Sequence, residues 1–198
     1  MTFSKSLLAA CIASLSLSAT AATIAYKVDP EHTYPSFEAD HLGGLSTWRG
    51  KFNHVSGTIT LDKSAGSGDV AITIDMTSAD FGLDALNTAT QGKEMFEADK
   101  YPQATYRGRL ADFVDGRPTR VVGDLTLHGI TRPLTLTIDA FKCMPHPVFK
   151  REVCGADALA TFKRDDFGMT AGKDYGFSMD VALRIQVEAI QVAEAPAD

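Results

Sequence analysis

Cysteine is scarce in this 198-residue chain, which has only Cys11, Cys143 and Cys154. That leaves no C-x-x-C redox pair and no close Cys/His cluster of the structural zinc kind. Tryptophan occurs once, at Trp48, and tyrosine five times. So few rings make thin aromatic girdles for a barrel that turns its apolar face to lipid. Beyond the N-terminus no stretch approaches the roughly 18 apolar residues that a membrane-spanning helix needs. Positive charge is in deficit, with 19 Lys and Arg against 25 Asp and Glu. An acidic balance argues against nucleic acid and against an anionic membrane surface as partners. H-E-x-x-H and G-x-S-x-G are both absent, which removes the commonest metalloprotease and serine-hydrolase signatures. There is no internal repeat, low-complexity tract or interdomain linker.

The N-terminus is organised as an export signal. MTFSKSLLAACIASLSLSATA carries one charge, Lys5, then an apolar or small run from Leu7 to Leu17, then Ala19-Thr20-Ala21. Such a segment reads as a cleaved secretory signal and is too short for a membrane span. Leu8 to Cys11 resembles a lipoprotein cleavage box, but the apolar run continues past Cys11, so cleavage near Ala21 is preferred. The expected organisation is a signal peptide over 1–21 and a single domain over 22–198, exported to an oxidising compartment. The exported part would hold 18 basic against 25 acidic residues, a net charge of −7.

The rest of the chain alternates. Val55, Gly57, Ile59 and Leu61 share one face, and Val70, Ile72, Ile74 and Met76 share another. Val121, Gly123, Leu125 and Leu127 do the same, as do Leu134, Leu136 and Ile138, and then Met179 to Val187 by twos. Period-two runs of this kind are half-buried antiparallel strands. Weaker runs align Phe37, Ala39 and His41; Trp48, Gly50 and Phe52; Ala104, Tyr106, Gly108 and Leu110; and Ala156, Ala158, Ala160 and Phe162. KSAGSG reads as a hairpin turn, and His128-Gly129 as a turn tolerant of positive φ. Leu83 to Phe96 alternates poorly and predicts a short helix or an irregular crossover.

Eight or nine strands with one apolar face each predict a barrel or a sandwich. Many inward positions are small, among them Ala39, Gly50, Gly57, Gly108, Gly123, Ala156, Ala158 and Ala160, which would leave room inside. A ten-residue strand tilted by about 40° gives a lumen roughly 25 Å long. Whether large side chains fill that lumen is left open by the pattern. The candidate ligand-binding residues are Phe37, His41, Trp48, Phe52, Ile59, Ile72, Ile74, Phe81, Tyr106, Leu125, Leu127, Leu136 and Phe162. His41 shares the inward face, where a neutral imidazole serves the structure or a ligand head group. Lys163 and Arg164 are candidates for a polar head group at the barrel mouth. The favoured reading is a surface salt bridge to Asp165 or Asp166, worth about 0–1 kcal/mol. No catalytic residue, metal site or cofactor is assigned.

Four segments carry a family likeness. YKVDPEHTYPSFEADHLGGLSTWRGKFNHVSGTITLD, DKYPQATYRGR, VVGDLTLHGITRPLTL and ATFKRDDFGM occur in that order. Together they resemble the YceI-like family, lipocalin-like polyisoprenoid-binding proteins of the bacterial periplasm. The resemblance implies an all-β fold, an elongated eight-stranded antiparallel barrel with a short helical crossover. It implies a ligand of isoprenoid or other long-chain lipid type and no enzymatic activity. Many relatives carry Arg-Asp-x-His-Leu on the helical segment, and NTATQGKEMF here lacks the Arg, the His and the Leu. Head-group contacts made by that stretch in relatives are therefore not carried over. The main reading is a periplasmic carrier of a polyisoprenoid, quinone or fatty amide. The alternatives are an enzyme using His or carboxylate groups at the mouth, and a filled-core interaction protein. A homodimer is left open.

CMPHPVFKREVC, Cys143 to Cys154, connects two expected strands. Ten residues separate the cysteines, and no second His or Cys pair lies near His146. An even pair in an exported protein predicts a disulfide. Closing this loop would stabilise the fold by roughly 3 kcal/mol in the chain-entropy model.

Overall fold

The computed structural model describes residues 23–193. The expected signal peptide and its cleavage site lie outside the described residues. The strands are β1 (Ile24–Val28), β2 (Tyr34–His41), β3 (Ser46–Phe52), β4 (Val55–Leu61), β5 (Asp69–Asp75) and β6 (Ala79–Asp80). They continue as β7 (Gln103–Ala111), β8 (Arg120–Leu127), β9 (Ile130–Pro145), β10 (Glu152–Lys163) and β11 (Asp180–Gln191). One helix, α1 (Asp84–Gln91), interrupts them.

Six of these strands are halves of three longer staves. β1 and β2 both lie along β11, with Tyr26 opposite Gln191 and Phe37 opposite Leu183. β3 and β4 lie along β2 and β1 in turn, and β5 and β6 along β4 and β3. The eight resulting staves run up and down, and the β1–β11 pairing closes them into a ring. The expected all-β, eight-stranded antiparallel barrel with a short helical crossover is what forms.

Local chemistry holds two of the three breaks. Between β1 and β2 the Asp29 carboxylate accepts the Glu31 N–H and meets the His32 ring at 2.8 Å. Between β5 and β6 the Asp75 carboxylate accepts the Thr77 N–H at 2.9 Å and caps a single 3-10 turn. The short side-chain bonds replace ladder bonds where the stave bends.

The connections sort to two ends. The 42–45 turn, the 81–102 crossover, the 128–129 turn and the 164–179 connection lie at one end, called the helical end. The 62–68, 112–119 and 146–151 turns lie at the other. His128 and Gly129 both have positive φ, 52° and 74°. That is the left-handed pair a two-residue hairpin of right-handed twist requires.

The wall has one irregular seam. β10 pairs with β9 as far as Leu159 opposite Thr137, with a bulge beside Ala158. Above that point β9 meets the 3-10 turn Arg164–Phe167 instead. Phe167 and Met169 from this connection are buried there. Pro133 sits on this stretch, where β9 has no β10 neighbour to ask for its missing N–H.

At the other end, Cys143 and Cys154 face each other in register across β9 and β10, with their Cα atoms 4.0 Å apart and the sulfurs bonded. The pair sits just inside the 146–151 turn.

Candidate ligand-binding cavity

Strand alternation sends one side chain in two into the barrel. They do not fill it. A cavity of about 390 Å³ runs along the lumen. That lies in the range of roughly 300–1,000 Å³ common for small-molecule sites. The filled-lumen alternative does not describe this barrel.

The inward glycines create little of this space. A Cβ on Gly50 would lie 2.6 Å from the Phe37 ring and 3.0 Å from Phe81. On Gly57 and Gly123 it would lie 2.4 and 2.2 Å from a neighbouring strand's carbonyl oxygen. These glycines let rings or backbones approach closely. The room comes from Ala39, Ala156 and Ala158, which line the cavity.

Twelve of the thirteen residues expected to contact ligand line the cavity: Phe37, Trp48, Phe52, Ile59, Ile72, Ile74, Phe81, Tyr106, Leu125, Leu127, Leu136 and Phe162. His41 does not line it. Its strand ends at the rim, and its ring stacks on Trp48 at 4.2 Å with Phe177 edge-on at 5.2 Å. Inside, Phe37 packs 5.3 Å from both Phe52 and Phe81.

The two ends of the cavity differ. Away from the helical end, Tyr26, Leu61 and Ala189 are at most 2% exposed and close the floor. The Tyr26 hydroxyl donates to the Glu152 carboxylate, which also accepts from Lys63 Nζ at 2.8 Å. Burial, and then the carboxylate beside it, push the Tyr26 phenol up. Burial opposes ionisation of Glu152, but the bonds from Lys63 and Tyr26 outweigh it and hold that carboxyl below its usual range. At the helical end, Trp48 is 37% exposed and Asp40, Gly172 and Phe177 are only half-buried. The mouth is there.

Polar groups in the lining are few and mostly occupied. The Tyr106 hydroxyl reaches the Val121 and Leu134 carbonyls at 3.1 and 2.9 Å. Burial pushes its phenol up to about 12. Thr90 donates to the Asn87 carbonyl. Asp40 accepts the N–H groups of Gly43, Gly44 and Ser178. Those bonds, led by Ser178, hold its carboxyl below the usual range.

Arg164 is where the favoured expectation fails. It is not a surface residue paired with Asp165 or Asp166. It is 6% exposed and lines the cavity. Lys173 takes Asp165 at 2.8 Å, and Lys163 takes Asp180 at 3.2 Å on the outside. Arg164 forms no salt bridge among the described residues. It donates to the carbonyls of Met169 and Ala171 at 3.2 and 2.6 Å. Burial pulls its guanidinium below its ordinary value, although Asp165 and Asp40 act the other way.

Sequence reasoning missed most lining residues that lie outside regular strands, Phe81 and Arg164 apart. Thr90, Met95 and Phe96 come from the crossover, and Met169, Ala171 and Phe177 from the 164–179 connection. Neither segment alternates. Arg164 did carry a signal, because it extends the even-numbered inward series of Ala156, Ala158, Ala160 and Phe162.

An up-and-down barrel with a sealed floor, an apolar lumen and an open mouth has a lipocalin-like architecture. The model of the YceI-like domain matches residues 26–189, and the chain belongs to that family. Protein YceI of Escherichia coli O157:H7 is 36% identical over 197 residues, covering 94% of this chain and 98% of that one. Protein YceI of Salmonella arizonae is 33% identical over 192 residues, with the same coverage. Among solved structures, Burkholderia cenocepacia BcnA superposes with a TM-score of 0.65 at 23% identity, over 81% of this chain and 98% of that one. A polyisoprenoid binding domain from Saccharophagus degradans gives 0.61 at 18% identity, over 85% and 99%. At these identities the two structures speak to the fold.

Proposed function

We propose that this protein holds a long apolar molecule in its lumen as a carrier or scavenger in the bacterial periplasm. The ligand is of polyisoprenoid, quinone or fatty amide type. The observation that carries this reading is the unfilled lumen, apolar along its length and open at one end only. A narrow apolar channel recovers its binding free energy from a chain that fills it, at roughly 25 cal/mol per Å² of apolar surface removed from water. The contact set includes Phe37, Trp48, Phe52, Phe81, Tyr106 and Phe162. A polyisoprenoid-binding relative of the same fold supports a lipid as ligand.

The reading is of binding without turnover. Among the described residues no histidine lines the cavity, and Asp40, the one acid that does, spends its oxygens on three backbone N–H groups. Export supports the location, with a signal over 1–21 cleaved near Ala21 and the Cys143–Cys154 bond formed in an oxidising compartment.

Mass spectrometry of protein purified from its native periplasm tests the proposal. The native mass should exceed the denatured mass by one apolar molecule, and the denatured mass should show the bond between Cys143 and Cys154. Protein that emerges empty and then binds neither prenyl nor acyl chains would sink the container reading.

A further inference from the structure

An isolated guanidinium in an apolar channel is costly. Arg164 is 94% withdrawn from solvent by its 6% exposure, and among the described lining residues it is the one basic side chain. Arginine stays protonated in such places, because its ordinary pKa of about 12.5 or more leaves a large margin. A buried ion normally finds a counter-ion. Arg164 makes no salt bridge among the described residues, although Asp40 and Asp165 are close enough to favour its charge: Asp40 accepts from Ser178, Gly43 and Gly44, and Lys173 takes one oxygen of Asp165.

Its donors are not all used either. Guanidinium carries five N–H groups. Two meet the carbonyls of Met169 and Ala171, which fix the plane of the head against the 169–172 segment. The others have no partner among the described residues. The side chain thus lies near the mouth of the lumen, rigidly held, with charge and donors to spare. Guanidinium matches the paired oxygens of a carboxylate or phosphate.

We propose that Arg164 is the head-group site of this cavity, and that the protein selects long-chain amphiphiles with an anionic head, carboxylate or phosphate, over neutral ones of equal length. This rests on the container reading and narrows it. The tail runs toward Tyr26 at the floor, and the anionic oxygens accept from Arg164 below the rim. The crossover segment contributes Thr90, Met95 and Phe96 to the lining, with no second cation, so this selectivity hangs on one side chain.

The test pairs ligands that differ only in the head: farnesyl phosphate against farnesol, and palmitate against hexadecanol. Isothermal titration at pH 7.5 with delipidated protein should give at least a tenfold preference for one anionic member over its alcohol. The pair that shows it identifies the head, phosphate or carboxylate. In Arg164→Met the preference of the anion over its alcohol should fall below twofold. Arg164→Lys, which keeps the charge, should retain part of it. Equal affinity for anion and alcohol in the unmutated protein, in both pairs, overturns this inference and leaves the container standing. The unmutated comparison decides the matter even if a variant misfolds. Failure of all four ligands to bind overturns both.

Discussion

Gly50 shows how much one hydrogen atom matters inside this barrel. Its missing side chain is the space that the Phe37 ring occupies, beside Phe81. A methyl group there must displace packed aromatic carbon, and overpacking typically costs about 1–3 kcal/mol. Gly50→Ala is expected to lower stability by about 1–2 kcal/mol, read as a lower urea midpoint at constant slope. A midpoint unchanged would mean that the rings swing freely into the lumen. Tyr106 is the complementary case, a polar tip within an apolar wall. Its hydroxyl serves two carbonyls, so Tyr106→Phe should cost about 1 kcal/mol at pH 7. The phenol also makes an alkaline prediction. Its folded pKa is raised by burial to about 12, above the roughly 10 of an unfolded tyrosine. A raised value means that the fold favours the protonated form. That stability is fully present below pH 10 and drains away as the pH climbs from about 10 to 12. The Tyr106→Phe protein should lose stability less steeply over that interval. Parallel denaturation curves at pH 9 and 11 would show it, and identical slopes for the two proteins would refute it.

At the level of elements, the staves and the joins obey different physics. β4, β5, β8 and the Leu134–Ile138 part of β9, above its bulge, alternate cleanly because one face meets the lumen and the other meets water, so their inward residues could be read from the sequence. The same rule placed Phe37, Trp48, Phe52, Tyr106 and Phe162 on the lining. The crossover and the 164–179 connection follow no such period. They are positioned by tertiary contacts, such as the Gln91 side chain donating to the Thr77 carbonyl and the Ser178 N–H donating to Asp40. Hence Thr90, Met95 and Phe177 could not be foreseen. Arg164 could have been, from its parity, but its charged neighbours made it look like surface. His41 had the right parity and still left the lining, because the strand ends there and stacking on Trp48 holds the ring at the rim. The floor offers an element-scale test. Cys143 and Cys154 tie β9 to β10 beside the Tyr26–Glu152–Lys63 cluster. Reduction should cost roughly 3 kcal/mol, or about 6–12 °C in melting temperature for a chain of this size. Hydrogen exchange should quicken first in the 146–151 turn and the β9–β10 ends that flank it. A uniform change across the barrel would mean that the bond acts on the unfolded chain alone.

Taken whole, the molecule gives up packing in order to keep its interior unfilled. Roughly 390 Å³ of unfilled apolar space is stabilisation forgone, since each wall atom facing a void lacks partners on one side. A ligand that fills the lumen restores those contacts, and it does so only in the folded state. Binding should therefore raise the melting temperature in proportion to the logarithm of free ligand over Kd. At a hundredfold excess the gain is about 2.7 kcal/mol, or roughly 5–11 °C. The converse experiment fills the lumen from within. Ala158 lines the cavity midway along β10 with its methyl group facing inward. In Ala158→Trp an indole would take the path of the tail. Two outcomes should then appear together: the barrel keeps its far-ultraviolet circular dichroism, and the stabilisation by long-chain ligand is lost. Shorter chains that stop above Ala158 should still bind, because the mouth and Arg164 are untouched. If long chains bind the Ala158→Trp protein as they bind the unmutated one, the tail does not run down the lumen. The apolar channel would then need another explanation.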